Sequence, residues 1–193
     1  MLRPTALVVV PLLLLGPGCT SKAELSTPER ADGATATTAS PRVGAERNET
    51  DEAYVHELSA MHQQAISMSV MVANKQVPAS LRDLAAEIGE SRSEELRDLT
   101  GILARWDVKP HGADFHGNPG ELTSREMSDL YGLAGEQFEQ EWLDRMAANH
   151  RTAVAMSRAE VDRGLNLPLR ELARRIVSVQ GERLDALEGL AAE

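Results

Sequence analysis

Two stretches of sequence that resemble each other decide the fold. Residues 54–72 read YVHELSAMHQQAISMSVMV, and residues 142–160 read WLDRMAANHRTAVAMSRAE. The second stretch follows the first at an offset of 88 residues without gaps. A fixed offset of this kind is the signature of an internal repeat. The residue pairs that recur are Ala60/Ala148, His62/His150, Ala65/Ala153, Met68/Met156 and Ser69/Ser157.

The apolar residues of the first stretch have the spacing of one face of a helix. Their alternating steps of four and three residues predict an amphipathic α-helix with a single apolar stripe. The stripe contains Tyr54, Leu58, Met61, Ala65, Met68 and Val72, and the equivalent positions are Trp142, Met146, Asn149, Ala153, Met156 and Glu160. Proline-containing breaks at 74–78 and 164–168 end these helices, and a second periodic stretch follows each break.

Each repeat is therefore predicted to be a hairpin of two helices, over residues 50–106 and 138–193. Because a hairpin cannot bury its apolar stripe alone, the two are expected to pack as an all-α four-helix bundle. A long connection, residues 107–137, joins them. The pair Thr123 and Glu126 predicts a capping box that begins a short helix in this connection, and Ser80 and Asp83 predict a weaker one for the second helix.

The composition excludes several classes of function. Only 3% of the 193 residues are aromatic, which is few for a β-sandwich or barrel. The net charge of −10 argues against a general nucleic-acid binder. The single cysteine excludes an intramolecular disulfide framework and a Cys-rich zinc site. We do not expect an enzyme, because no P-loop, Gly-x-Ser-x-Gly, His-Glu-x-x-His or other catalytic constellation can be recognised.

The N-terminal residues are typical of export. Residues 1–19 read MLRPTALVVVPLLLLGPGC, and their apolar run is too short to span a membrane. The stretch is similar to a bacterial lipoprotein signal peptide, in which Cys19 would carry the lipid that anchors the protein to a membrane. An ordinary secretory signal is the alternative. Residues 20–49 are rich in Ala, Thr, Ser, Pro and Gly and are predicted to be a disordered tether.

Polar residues interrupt the predicted core. His62 and His150 lie beside the two stripes, and four further polar residues fall near the middle of the second helices of the hairpins: Arg92, Glu95, Gln180 and Arg183. The sequence thus predicts a polar belt across the middle of the bundle, with methionines nearby. Imidazole and thioether together suit copper, and thioether favours Cu(I). However, methionines also fill cores, and buried histidines are commonly hydrogen-bonded.

The same segments resemble a known family. Residues 61–68 (MHQQAISM) and 149–156 (NHRTAVAM) look like the signature helix of the domain-of-unknown-function family 305, and residues 138–146 are similar to its lead-in. The resemblance covers residues 50–190. It implies a ferritin-like four-helix bundle in exported or lipid-anchored bacterial proteins, some of which bind copper through histidine and methionine.

This sequence departs from the family's usual pair of adjacent histidines. Only the second of each pair is present, as His62 and His150, while Met61 and Asn149 stand in the first position. Methionine is a competent Cu(I) ligand and asparagine is a poor one. The departure either shifts a copper site toward a methionine-rich, Cu(I)-binding character or indicates that the metal has been lost.

Two hypotheses follow from the sequence. The first is an exported, lipid-anchored envelope protein that binds copper for sequestration or tolerance. Its candidate ligands are Met61, His62, Met68, Met146, His150 and Met156. The second is a non-catalytic envelope module that has lost the metal and binds a protein partner. In that case the polar belt would be a hydrogen-bonded network that fixes the register of the helices.

Overall fold

The computed structural model describes residues 46–110 and 117–192, and these form five helices and no strand. The helices are α1 (Glu49–Val72), α2 (Ala79–Trp106), α3 (Ser124–Gly132), α4 (Gly135–Arg163) and α5 (Leu167–Ala191). The predicted signal peptide with Cys19, and the tether up to residue 45, lie outside the described residues. The prediction of an all-α bundle of two helical hairpins is confirmed.

Local signals explain where most of the helices begin. The side chain of Asn48 caps α1 and forms a reciprocal capping box with Asp51. The predicted capping box of Thr123 and Glu126 is confirmed at the start of α3. The prediction for Ser80 and Asp83 is wrong, because α2 already begins at Ala79, which places Ser80 inside the helix.

The two hairpins pack along α1 and α4. Within each hairpin, α1 lies against α2 and α4 lies against α5, whereas α2 and α5 approach each other only weakly. The connection ends at Ala134, and α4 begins at Gly135, three residues before the predicted start of the second hairpin at 138. None of the helices in the described part of the chain is long and apolar enough to cross a membrane.

The core is divided into two apolar clusters, one toward each end of the bundle. The first contains Met68, Ile88, Trp142 and Leu187, and the second contains Leu58, Leu99, Trp106 and Leu172, among others. On all four long helices, the residues that lie between the two clusters in sequence include a buried polar side chain. The fold therefore places one polar layer across the middle of the core.

The long connection is held against the bundle by polar contacts. The side-chain amide of Gln64 donates to the backbone carbonyl of Leu122 (2.7 Å) and accepts from the backbone amide of the same residue (2.7 Å). The ammonium group of Lys75 donates to the carbonyls of Tyr131 and Leu133 at the end of α3. These contacts hold the start of α3 against α1 and its end against the turn that follows α1.

The backbone of the connection lies very close to the bundle at Gly120. This residue has a φ of +79°, and a Cβ atom there would lie 2.6 Å from the carbonyl oxygen of Ala148 and 2.9 Å from the amide nitrogen of Asn149. Both atoms belong to the backbone of α4, so neither can move aside easily. Only glycine fits this position.

We expect Gly120→Ala to lower the free energy of unfolding by at least about 2 kcal/mol, because it adds both a clash and an unfavourable φ. Chemical denaturation measures this loss. Gly132→Ala is the matched control, since a Cβ there has open space. An equal effect of the two substitutions would contradict the close approach.

Candidate functional site

The polar layer contains residues from all four long helices. His62 comes from α1, Arg92 and Glu95 from α2, His150 from α4 and Gln180 from α5. Four of these residues have no solvent exposure, and the side chain of Glu95 is 12% exposed. The polar belt expected from the sequence is thus present, and it brings His62 and His150 into the same layer.

One oxygen of Glu95 is the centre of this layer. Oε2 of Glu95 lies 2.8 Å from Nε2 of His62 and 2.9 Å from Nη1 of Arg92. The side-chain amide of Gln180 also donates to it, at 2.9 Å. The His62 contact has the distance of an ion pair but not the angle of a good hydrogen bond. Glu95 therefore joins α1, α2 and α5 through a single atom.

Arg92 extends the network to the fourth helix. Nη2 of Arg92 lies 2.7 Å from Nε2 of His150, and Nδ1 of His150 lies 3.0 Å from the carbonyl oxygen of Met146. A guanidinium group has only donors. Nε2 of His150 must therefore accept from Arg92, while the Nδ1–H group donates to the carbonyl. Both ring nitrogens of His150 are occupied, and the ring is neutral.

The pKa values of the layer follow from burial and from this pairing. Burial lowers the pKa of His62 and, with the nearby Arg92 charge, lowers that of His150 far more. Burial also lowers the pKa of Arg92 to about 10, so the guanidinium keeps its charge at neutral pH. Burial alone would raise the pKa of Glu95, but His62 and Arg92 outweigh it and lower the pKa to about 2. The layer thus holds one ion pair and two neutral histidines.

The six candidate ligands are not brought together. Met68 and Met146 lie in the apolar cluster around Trp142, whereas Met156 packs, half-buried, against the other cluster. Met61 is fully buried, and its carbonyl oxygen accepts from the side chain of Asn149 at 3.2 Å. No group of three His, Cys, Asp or Glu side chains that could hold a metal is found among residues 46–110 and 117–192.

The arrangement does not fit a copper ion shared by His62 and His150. The lone pair of Nε2 on His150 is directed at Arg92, and the positive guanidinium group opposes a second cation in a site of low dielectric constant. Neither nitrogen of His62 makes a hydrogen bond, but Nε2 faces Oε2 of Glu95 at 2.8 Å, so Nδ1 is the imidazole nitrogen of the pair that no charged group contacts. A shared site would first require Arg92 to leave.

Two other buried carboxyl groups, those of Asp51 and Glu160, were not predicted from the sequence. They lie at the end of the bundle where α1 begins and α4 ends, and both are fully buried. Glu160 occupies the stripe position that Val72 has in the first repeat. A charged residue on an apolar stripe is the signal that could have identified it.

We expect Glu95→Gln to lower the free energy of unfolding by about 3 kcal/mol, because it leaves the buried Arg92 without its counter-charge. The double variant Arg92→Met/Glu95→Gln removes both charges, and its loss should be smaller than the sum of the two single losses by about 1 kcal/mol or more. Urea denaturation of Glu95→Gln, Arg92→Met and the double variant gives the three free energies of unfolding that this double-mutant cycle needs.

Glu94→Gln is the control for this cycle. Glu94 is an exposed neighbour of Glu95, and its one ion pair, with the exposed Arg97, is long at 3.8 Å. Its effect should stay within about 0.5 kcal/mol. Additive losses in the cycle would show that Arg92 and Glu95 do not interact.

Solved structures share this fold. A DUF305 protein from Streptomyces coelicolor, described as secreted, is 29% identical, with a TM-score of 0.68 over 74% of this chain and 92% of that chain. A DUF305 fragment from Deinococcus radiodurans is 26% identical, with a TM-score of 0.68 over 75% and 97% of the two chains. The Cu(I)-bound form of CopM is 20% identical, with a TM-score of 0.62 over 74% and 95%.

At 20% identity, the likeness to CopM supports the fold alone. A search of curated proteins finds no significant match to this sequence. The model of the family described as "Domain of unknown function (DUF305)" matches residues 51–191, which are nearly the whole of the described bundle. The chain therefore belongs to the DUF305 family.

Proposed function

We propose that this protein is an exported, lipid-anchored envelope protein whose bundle is a non-catalytic interaction module with no copper ion at its centre. The observation that carries the proposal is the 2.7 Å contact between Nη2 of Arg92 and Nε2 of His150. It uses the lone pair that a metal would need and places a fixed positive charge beside it. In this reading, the layer organises the core and leaves function to the surface.

The negative net charge of the protein supports a basic partner. The chain carries 30 acidic and 20 basic residues, and few of these charges are buried in the described bundle. A surface with this excess of negative charge attracts basic partners and repels nucleic acids and other acidic surfaces. The module is therefore expected to bind a basic envelope component.

Anchoring through Cys19 is the part of the proposal that concerns location. Cys19 follows an apolar segment and small residues, and residues 20–45 separate it from the described bundle. A lipid on Cys19 would hold the bundle close to the membrane without any helix crossing it, because acyl chains alone can provide a stable anchor.

We expect the full chain to fractionate with bacterial membranes and to be released by detergent, whereas Cys19→Ser should abolish lipidation and shift the protein to the soluble or secreted fraction. Metabolic labelling with a fatty acid and fractionation measure this change. A membrane-bound, unlabelled wild-type chain would contradict the anchor.

Copper binding is the second candidate function, and the unpartnered Nδ1 of the buried His62 favours it. Met61, which precedes His62 in sequence and is fully buried, carries a thioether, a soft ligand of the kind that Cu(I) prefers. The solved Cu(I)- and Cu(II)-bound forms of CopM have the same fold, and copper chemistry on this fold therefore supports the candidate. In this reading, copper would be held for sequestration or tolerance.

Anaerobic titration with Cu(I) against a colorimetric chelator separates the two candidates. The protein should carry Cys19→Ser, because a free thiol binds Cu(I) by itself. If the centre is closed, the dissociation constant will be no tighter than about micromolar and will not change in His62→Ala/His150→Ala. The melting temperature should also be insensitive to Cu(I), since a ligand that binds only the folded state must raise it.

Arg92→Met is the decisive variant in this titration. It frees Nε2 of His150 and adds a thioether beside it, so we expect its Cu(I) affinity to rise at least about tenfold over the Cys19→Ser parent. Tight binding by the parent that is lost in His62→Ala/His150→Ala would overturn the proposal and establish the copper candidate.

A further inference from the structure

Two carboxyl groups meet in the interior at one end of the bundle. Asp51 lies in the first turn of α1, and Glu160 lies in the last turn of α4. Both residues have no solvent exposure. Two buried negative charges in contact would be strongly unfavourable, so the two groups are not expected to be ionised together.

Asp51 is held by backbone donors from two segments. Its carboxylate accepts from the amide of Asn48 (2.6 Å), which precedes α1. It also accepts from the amides of Leu165 (3.1 Å) and Asn166 (2.9 Å) in the turn between α4 and α5. Three backbone amides thus donate to the oxygens of this one side chain. The side chain thereby joins the start of α1 to the α4–α5 turn.

Glu160 has no such donors. Neither of its oxygens accepts a hydrogen bond from a protein donor, and the group lies within hydrogen-bonding reach of the Asp51 carboxylate. The backbone is adapted to this position, because a Cβ atom on Gly164 would coincide with the Glu160 carboxyl group. A carboxyl group with only an acceptor as neighbour can be satisfied if it carries a proton and donates it.

We propose that Asp51 and Glu160 share one proton and form a pH-sensitive latch between the start of α1 and the α4–α5 turn. While the proton is present, Glu160 donates to Asp51, and Asp51 stays in place as the acceptor of the turn amides. When the proton is lost, two like charges face each other in a buried site. The turn then separates more readily from α1.

The other groups that face the pair do not cancel this effect. Arg170 on α5 favours the ionised form of Glu160 from a distance, but its Nε–H group donates to the carbonyl of Val161 at 3.0 Å. Tyr54 on α1 uses its hydroxyl group on Ser157, at 2.7 Å. Burial and the neighbouring Asp51 therefore dominate and raise the pKa of Glu160 from 4.5 to about 8.

The sign of the pH dependence follows from this raised pKa. The folded state holds the proton more tightly than an opened state in which the pKa of Glu160 returns to 4.5. The stabilisation of the latch is complete below pH 4.5, is lost progressively as the pH rises toward about 8, and does not change further above that value.

Amide hydrogen exchange of the full chain with Cys19→Ser tests the latch. After correction for the intrinsic exchange rate, the protection of Leu165 and Asn166 should fall by about tenfold per pH unit between pH 5 and 8 and then level off. Glu160→Gln keeps a donor to Asp51 without a titratable group, and its protection should not depend on pH. Glu171→Gln, an exposed position near the same end, should behave as the parent does.

A second readout does not depend on a folded variant. The infrared band of a protonated carboxyl group should be present in the parent at pH 6 and should disappear as the pH rises through about 8. Its absence at pH 6, a flat pH response of the parent, or the same response in Glu160→Gln would overturn the latch. Protection restored by millimolar Ca²⁺ in the parent but not in Glu160→Gln would assign the pair to a cation and would also overturn it.

Discussion

One buried ion pair, between Glu95 and Arg92 on α2, connects the four long helices of this bundle. Oε2 of Glu95 contacts His62 on α1, Arg92 on its own helix and Gln180 on α5, and Arg92 reaches His150 on α4. Apolar clusters lie on both sides of this layer. Sliding α1, α4 or α5 by one turn would remove His62, His150 or Gln180 from the Arg92–Glu95 pair and leave buried polar groups without partners, which is unfavourable. The ion pair therefore adds little net stability compared with an apolar core, but it allows only one register.

Much of this organisation could be predicted from the sequence, because helical periodicity shows which positions face inward. The stripe of Tyr54, Leu58 and Met68 identified the core face of α1, and the polar residues beside it predicted the belt. Periodicity does not show which polar group meets which. Arg92 has a long side chain with several rotamers. It contacts His150, 58 residues later in the sequence, only because α2 and α4 are packed in one particular arrangement. That placement is a property of the packed bundle.

The Asp51 and Glu160 pair also depends on tertiary packing that the sequence pattern does not show. Asp51 is an ordinary member of a capping box when its helix is considered alone, and such residues are usually exposed. The turn after α4 covers it and brings Glu160 beside it. Burial of the carboxyl group depends on a segment more than 100 residues away in sequence, which no local pattern at Asp51 shows. Only the interruption of the α4 stripe by Glu160 signalled it in advance.

Whether copper can bind in the centre of this bundle depends on which histidine nitrogens have a lone pair available, and not on the presence of histidine and methionine alone. Histidines and methionines at helical spacing produce the same sequence pattern whether they bind a metal or fill a core. In this chain, Arg92 and the Met146 carbonyl use both nitrogens of His150, whereas His62 makes no hydrogen bond and only its Nε2 faces Glu95. A guanidinium group and a copper ion compete for the same atom of His150, and both are cations. The identity of the residue at position 92 therefore decides whether the centre of this bundle is an ion pair or a possible metal site.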